Sequence, residues 1–524
     1  MKSCGMLDME KSRTGEYALV AAGDMMFVFS NYNDKFTELD NGSVLYGVTY
    51  IGGKIDIDFG FKKDDGTIEY EDQAVFKIID VYCASKSSEC HIVGRDNIER
   101  LNKFVLNVPS NAIVPVAGSN TGNGYITEVQ TKPFGTVTEN WTITCTLGGG
   151  SGVATFSVVG SVSGTIGTAT SNTEYTAGSM VKFTIYAGGT NWVIGDTYTF
   201  STRKNPEWTN TDPIKIIWSI LTGYNYDTDT QEAWYNSTPK LDHTQGAGNT
   251  DLDFASFTTA VTNLGSSFNL TGYIGINQNC STIISEIITH FLGAVYADED
   301  GKISIGTYTP SLGEASPREF SGTKKITELK YEKGFDDIIN SCTANFKKTA
   351  SWAWSRDAET LDGSYTKTNA TSITSYGERT HSISTNWISV NNYAIIWAVD
   401  RIIGKFSSPP LILEFITGTD GLQTTLGNRI SVTDTKSQIE QQIMEVFRLS
   451  KDFSKKPTQI SISCIDTGTT NWPWAFCGSS INETEHNWSV AASQDFDTAD
   501  TFEKQFCYAS QNGGEGTDPE YYTW

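Results

Sequence analysis

The sequence predicts a mainly β, multidomain chain that carries an inserted all-β module and a small α+β portion. Three observations carry this. Within residues 16–108, Ile55, Ile57 and Phe59 alternate with Asp56 and Asp58, the mark of strands with one wet face. From Val116 to Thr202 only six of 87 residues are charged, about 7 % against 19 % for the whole chain, while Gly and Thr dominate. Helical spacing is concentrated after Asn205 and in one later segment, Tyr393–Lys405. At ~100–200 residues per domain, a 524-residue chain has room for three or four cores.

The first unit, 1–115, reads as a compact β-barrel or sandwich. Asp64-Asp65-Gly66 makes a turn, Val75–Cys83 is a longer apolar strand, and Arg95–Asn102 is a short helix candidate. The second, 116–204, is the Gly/Thr-rich insert, a β-sandwich module. Trp141–Leu147, Ala154–Val158, Val181–Ala187 and Thr197–Phe200 alternate like strands, and Gly148-Gly149-Gly150 and Gly188-Gly189 mark turns where positive φ costs little.

In the α+β unit, 205–314, Asp212 followed by Pro213 is an N-cap with Pro at the first helical position. Gly223 stops that helix, and Ile214, Ile217, Trp218 and Leu221 share a face. A second helix runs from Phe254 to Leu264 before Gly265. A third has Ser281 as cap, the stripe Ile284, Ile287, Ile288 and Phe291, and Gly293 as stop. Ala294–Tyr296 and Ile303–Ile305 flank Asp298-Glu299-Asp300-Gly301 as a hairpin. The unit 315–465 is β again, with one helix that places Ile396, Val399, Asp400 and Ile403 on one face before Pro409-Pro410. The extension 466–524 holds ten acids and one lysine, with Trp472, Trp474, Trp488, Tyr521, Tyr522 and Trp524.

Charge and motifs narrow the function. With 61 acids against 38 bases, a net −23, the chain lacks the clustered Lys and Arg that nucleic-acid phosphates require. No run approaches the ~18 apolar residues of a membrane span, and Met1–Lys11 shows no apolar core of a Sec-type signal. The nine cysteines form no CxxC and no Cys/His cluster with zinc spacing, so small buried hydrophobes in a reducing compartment are expected rather than disulfides or a metal centre. Neither nucleophile-elbow, P-loop, zincin nor dinucleotide motifs occur. Of five histidines, His290 reads as a packed residue, and His91 beside Cys90 has no catalytic meaning from adjacency. Asp227 with Asp229, Asp251 with Asp253, Asp298 with Asp300, and Asp495 with Asp497 and Asp500 are the carboxylate sets a glycosidase would need, but each lies in a turn or polar loop that favours Asp for backbone reasons. None completes a calcium loop, though a weakly held surface cation stays open. No enzyme, cofactor or metal is expected.

Four stretches, in order, resemble the baseplate and tail-tip hub proteins of tailed bacteriophages, including the tip proteins of long non-contractile tails. Phe29-Ser30-Asn31-Tyr32-Asn33-Asp34-Lys35-Phe36, then Tyr46-Gly47 and Gly53-Lys54-Ile55-Asp56-Ile57, resembles the family's first barrel strands. Asn205-Pro206 through Ile216-Ile217-Trp218-Ser219-Ile220-Leu221-Thr222 is similar to its Asn-Pro-led helix, and Ser281–Leu292 with Asp300-Gly301-Lys302-Ile303 to the helix and hairpin that follow. Ser372-Ile373-Thr374-Ser375-Tyr376-Gly377-Glu378-Arg379 resembles the entry to the second barrel. The helix Tyr393–Lys405 and Leu426-Gly427-Asn428-Arg429-Ile430 follow it. The insert 116–202 is not part of that common core.

The resemblance implies two hub β-barrels, 1–115 and 315–465, in a homotrimer whose six barrels match a sixfold tail tube or distal tail protein to threefold tip or fibre proteins. It implies a virion protein, assembled in the host cytoplasm, forming part of the genome-ejection channel. With a hub assumed, the acidic balance of the chain leads to the expectation of a negative lumen that repels DNA. That last expectation is limited, because 466–524 supplies nine and the insert two of the 23 net negative charges, leaving twelve. The alternative is a receptor- or glycan-binding tail adhesin using the insert and clustered aromatics; a carbohydrate-active enzyme is the third reading. Trp472, Trp474, Trp488, Tyr521, Tyr522 and Trp524 are candidate partner-docking aromatics, since a solvated acidic tail has little use for them.

Overall fold

The computed structural model describes residues 3–4, 6–10, 19–20 and most of 24–466. Within the last range it leaves out 32–35, 37–46, 48–49, 84–88, 107–111, 133, 178–179, 236–240, 266–267, 275–276, 308–316, 347–362, 386, 388–392, 425–427 and 453–457. Beyond 466 it describes 508–509 and 521–522.

The fold is mainly β and built from several sheets. Alternation makes the strands: in Lys54–Lys62 the side chains of Ile55, Ile57 and Phe59 are half-buried while Asp56 and Asp58 face water. That strand turns at Asp64-Asp65-Gly66, with Gly66 at φ 85°, into the 16-residue strand Ile68–Cys83. Both belong to a 12-stranded sheet. Its path runs Thr327–Lys333, Leu411–Thr417, Gln459–Asp466, Ile439–Asp452, Met6–Glu10, Asp24–Ser30, Glu89–Arg95, Ile68–Cys83, Lys54–Lys62. Ser3–Cys4, Arg318–Ser321 and Arg429–Asp434 branch from this path, so strands from 3–95 and from 318–466 share one hydrogen-bonded sheet. The seam is the antiparallel pairing of Met6–Glu10 with Ile439–Asp452. Sequence reading, which starts the β region at 16, misses Met6–Glu10. Three core clusters draw side chains from this sheet. Met25, Phe27 and Phe76 pack with Phe29, Ile55 and Ile57; Phe320, Leu413, Phe415, Ile430, Val446 and Ile462 form a second, against which Phe59 packs; Ile412, Phe447 and Ile465 join a third with the helix Tyr393–Phe406.

Residues 112–202 form two further sheets around their own core of Trp141, Ile143, Cys145, Phe156, Phe183 and Trp192. Strict alternation in Glu139–Leu147 drives Trp141, Ile143 and Cys145 inward. Two buried carboxylates hold the loops. Asp196 accepts from the backbone N–H groups of Thr121, Gly122 and Val193 at 2.7, 3.0 and 2.9 Å. Burial pushes its carboxyl upward, but those donors outweigh it and hold it below the usual carboxylate range. Glu139 accepts from Val162 N, Ser163 N and Ser163 Oγ.

The helices follow the capping chemistry. Asp212 accepts from Ile214 N at 2.7 Å, Pro213 opens the helix Pro213–Thr222, and Gly223 ends it at φ 79°. Phe254–Leu264 is capped by Asp253. Two details differ from expectation. The third helix is Cys280–Ile288 with Asn279 at its N-cap, so Ser281 lies inside the first turn and His290 just past the end. In Tyr393–Phe406 the buried face is Ile395, Val399, Ile402, Ile403 and Phe406, joined by Ala394 and Ala398; of the face expected from sequence, Val399 and Ile403 are buried while Ile396 and Asp400 are only half-buried. The strand Ser341–Phe346 decides this, because Cys342, Ala344 and Phe346 pack on the Ile395–Val399 side. Asp400 instead pairs with Lys367 at 2.9 Å.

Candidate functional site

The carboxylates singled out in the sequence are engaged locally. Asp227 pairs with Lys215 at 2.6 Å and Asp229 with His243 at 3.0 Å. Asp251 pairs with Arg100 at 2.6 Å and accepts from Asp242 N, while Asp253 caps its helix. Asp298 accepts from Lys302 N at 2.7 Å to close its hairpin, and Ser304 Oγ lies 3.2 Å from both Asp253 and Asp298. Burial, with the Asp253 charge adding to it, raises Asp298 to about 6. Each of these bonds shapes a turn, a helix end or an ion pair. Among the described residues no group of three or more His, Cys, Asp or Glu side chains is placed to hold a metal ion. Asp495, Asp497 and Asp500 lie outside the described residues.

His290 is 3 % exposed and its Nδ1 lies 3.1 Å from the carbonyls of Glu286 and Ile287. Both partners only accept, so Nδ1 carries the proton and Nε2 presents a lone pair, without a hydrogen-bond partner. Burial lowers this imidazole to about 4. His243 stacks on Tyr224 and His91 on Tyr82, with ring centroids 3.7 and 4.8 Å apart. Cys90, Cys145, Cys280, Cys342 and Cys464 are buried and Cys83 is half-buried, and all six carry thiols outside any disulfide.

The extended surfaces are more informative. At one end of the 12-stranded sheet Lys54–Lys62 pairs only with Ile68–Cys83; at the other, Thr327–Lys333 pairs only with Leu411–Thr417, among the described residues. Both ends expose large apolar side chains: Ile68 and Tyr70 at 52 % and 65 %, Tyr331 and Phe335 at 66 % and 57 %. Open edges with exposed aromatics are features a lone soluble sheet ordinarily avoids. On the insert, Tyr125 and Tyr186 are exposed and stack across adjacent strands with centroids 5.2 Å apart.

Of the aromatics proposed for docking, Tyr521 and Tyr522 form a short strand against Tyr508–Ala509. Trp472, Trp474, Trp488 and Trp524 lie outside the described residues. One residue that the sequence did not flag organises the motif around Ser372–Arg379. The buried Asn340 side chain donates to Ser372 Oγ and Gly377 O at 3.1 and 2.8 Å, and accepts from Arg379 N at 2.7 Å. No local signal marks it, since an Asn in a polar connection reads as a turn former.

No family model and no curated protein sequence matches the chain. Among solved structures it is similar to a tail protein from Neisseria meningitidis, with 11 % identity, 70 % of this chain and 100 % of that chain covered, and a TM-score of 0.31. It is also similar to a 43 kDa prophage tail protein from Shewanella oneidensis, with 11 % identity, coverage of 68 % and 99 %, and a TM-score of 0.30. A prophage tail protein from Listeria monocytogenes has 10 % identity, coverage of 62 % and 87 %, and a TM-score of 0.28. At these scores the likeness carries no argument for fold family or function.

Proposed function

We propose that the chain is a structural component of a phage tail tip or baseplate, a trimeric hub that adapts a sixfold tail tube to threefold tip proteins and forms part of the genome-ejection channel. The observation that carries the reading is the 12-stranded sheet, whose path is unpaired at both ends among the described residues and shows exposed Ile68, Tyr70, Tyr331 and Phe335 near them. An adapter works through large complementary surfaces, and unpaired edges are where a neighbouring copy adds on. The ordered sequence resemblance to hub proteins points the same way. In this reading 1–115 and 315–465 are the hub barrels, 116–204 is a decorating module and 205–314 connects them. The extension 466–524 docks through Trp472, Trp474, Trp488, Tyr521, Tyr522 and Trp524.

Native mass measurement tests it directly. A species of three 57.4 kDa chains, alone or upon mixing with tail-tube protein, is the expected result. A monomer that stays monomeric with tube protein at micromolar concentration overturns the hub reading.

A second reading, a glycan-binding tail adhesin, draws on the exposed Tyr125–Tyr186 pair. Tyrosine faces stack on sugar rings. Glycan-array binding by the full chain that disappears in Tyr125→Ala would favour it; equal binding by both proteins would not.

A further inference from the structure

Near the loop that joins Ile68–Cys83 to Glu89–Arg95, two cysteines face each other. Cys83 and Cys90 are direct cross-strand partners in the antiparallel register, next to the Tyr82–His91 pair, whose rings stack at 4.8 Å with an interplanar angle of 2°. Side chains of directly opposed residues project from the same face of a sheet, so both thiols lie on the face opposite that stack. They also converge on one acceptor: Cys83 Sγ lies 3.3 Å and Cys90 Sγ 4.0 Å from the carbonyl oxygen of Phe36. Opposed residues of an antiparallel pair have Cα atoms about 4.5 or 5.5 Å apart, and both spacings fall inside the ~4.4–6.8 Å range of disulfides. The two differ in access, since Cys83 is half-buried and Cys90 fully buried.

We propose that Cys83 and Cys90 are a redox-sensitive dithiol that closes to a cross-strand disulfide by exchange with a small-molecule disulfide of the glutathione class. Cys83, the reachable sulfur, loses its proton to solvent and attacks one sulfur of the small disulfide. The S–S bond breaks and one small thiolate leaves, to be protonated by solvent. Cys90 then gives up its proton and attacks the Cys83 sulfur of the mixed disulfide, a second small thiol leaves, and the Cys83–Cys90 bond remains. Two protein thiols are oxidised and one small disulfide is reduced to two thiols. Burial, with the hydrogen bond and charge of the free Cys83 adding to it, pushes the Cys90 thiol up to about 12. In the mixed disulfide the Cys83 contributions are gone and burial remains, so the second step is the slow one, because the attacking species is the thiolate. Closure staples Ile68–Cys83 to Glu89–Arg95, whose other neighbour is Asp24–Ser30. The chain stays open where small thiols dominate and locks where they are oxidised. None of this depends on the hub reading.

The sequence makes the test clean. Trypsin cleaves after Lys77, Lys86 and Arg95, so the cysteines fall on separate peptides, 78–86 and 87–95. The full chain, purified reduced, is incubated with oxidised glutathione at pH 8, quenched in acid, digested and analysed by mass spectrometry with and without reductant. The expected product is the two peptides held together and separated by reductant, with two thiols lost per chain at that site. Early time points contain the glutathione adduct on Cys83. Cys83→Ser abolishes the linked species, and Cys90→Ser stalls with glutathione retained on Cys83. The proposal is overturned if the wild-type chain keeps both thiols free, retains the Cys83 adduct at the end point without linkage, or links either cysteine to another position. Because the decisive readout is on the wild-type chain, poor folding of Cys90→Ser does not affect it.

Discussion

Acidification isolates the contribution of one buried side chain, His290. In the folded chain its ring is neutral, with Nδ1 donating to two carbonyls and Nε2 buried without a partner beside a cavity of about 80 Å3. Glu286, Thr289, Ser384 and Thr385 supply the polar part of that cavity's wall. Burial holds the folded ring at about 4, against an ordinary value of 6.5 in the unfolded chain. Between these values the unfolded state binds a proton that the folded state does not, so stability falls as pH drops from about 6.5 to about 4 and the loss then levels off. At ~1.4 kcal/mol per unit the full contribution is about 3 kcal/mol. The assay is hydrogen exchange by mass spectrometry over 280–291 at pH 7, 5.5 and 4, corrected for intrinsic rates, in the wild type and in His290→Leu. Leu does not titrate, so the protection lost between pH 7 and pH 4 should be smaller in the variant by about 3 kcal/mol. Equal losses in both proteins would refute the argument, because the acid sensitivity would then belong to the carboxylates.

Three substitutions probe other parts of the fold. Trp218 is fully buried, with Tyr226, Phe254 and Phe257 packed edge-on against it. Trp218→Ala should cost ~3–5 kcal/mol and raise protease cleavage within 205–306. Asp196→Ala leaves three backbone donors of the insert without their acceptor, so at least about 2 kcal/mol should be lost. Hydrogen exchange over 118–124 and 190–197 reads this loss, and Asp196→Asn should recover part of it. Lys405 and Glu445 form a 2.8 Å ion pair with side chains only 11 % and 5 % exposed. Lys405→Met should destabilise the chain by removing this buried ion pair, and adding Glu445→Met should restore part of the loss in denaturant melts.

Local chemistry explains where sequence reading succeeded. Asp212-Pro213 and Gly223 bound a helix whose ends the structure places at Pro213 and Thr222, because capping and positive φ act within a few residues. Alternation located Glu139–Leu147 and Lys54–Lys62 for the same reason: period 2 is visible in one strand without its partners. The helix Tyr393–Phe406 was legible as a helix with Val399 and Ile403 inward, but the rest of its buried face was not. Ile395 and Ile396 are equally apolar, and the strand Ser341–Phe346 selects between them. Met6–Glu10 escaped notice because a five-residue segment with two acids has little pattern of its own; it becomes a strand by pairing with Ile439–Asp452.

The same division holds for the sites. Composition was enough to argue against nucleic-acid binding, since net charge is a sum over residues, and the mainly β class came from alternation visible within single segments. The cysteine spacing, six residues between Cys83 and Cys90, says nothing about pairing. Only the strand register makes them opposite neighbours. Likewise Asn340 and Ser372 are 32 positions apart, and Lys451 reaches Gln73 across 378 positions. Such contacts are properties of the folded chain, because the hydrogen bonds that position them come from partners no local window contains.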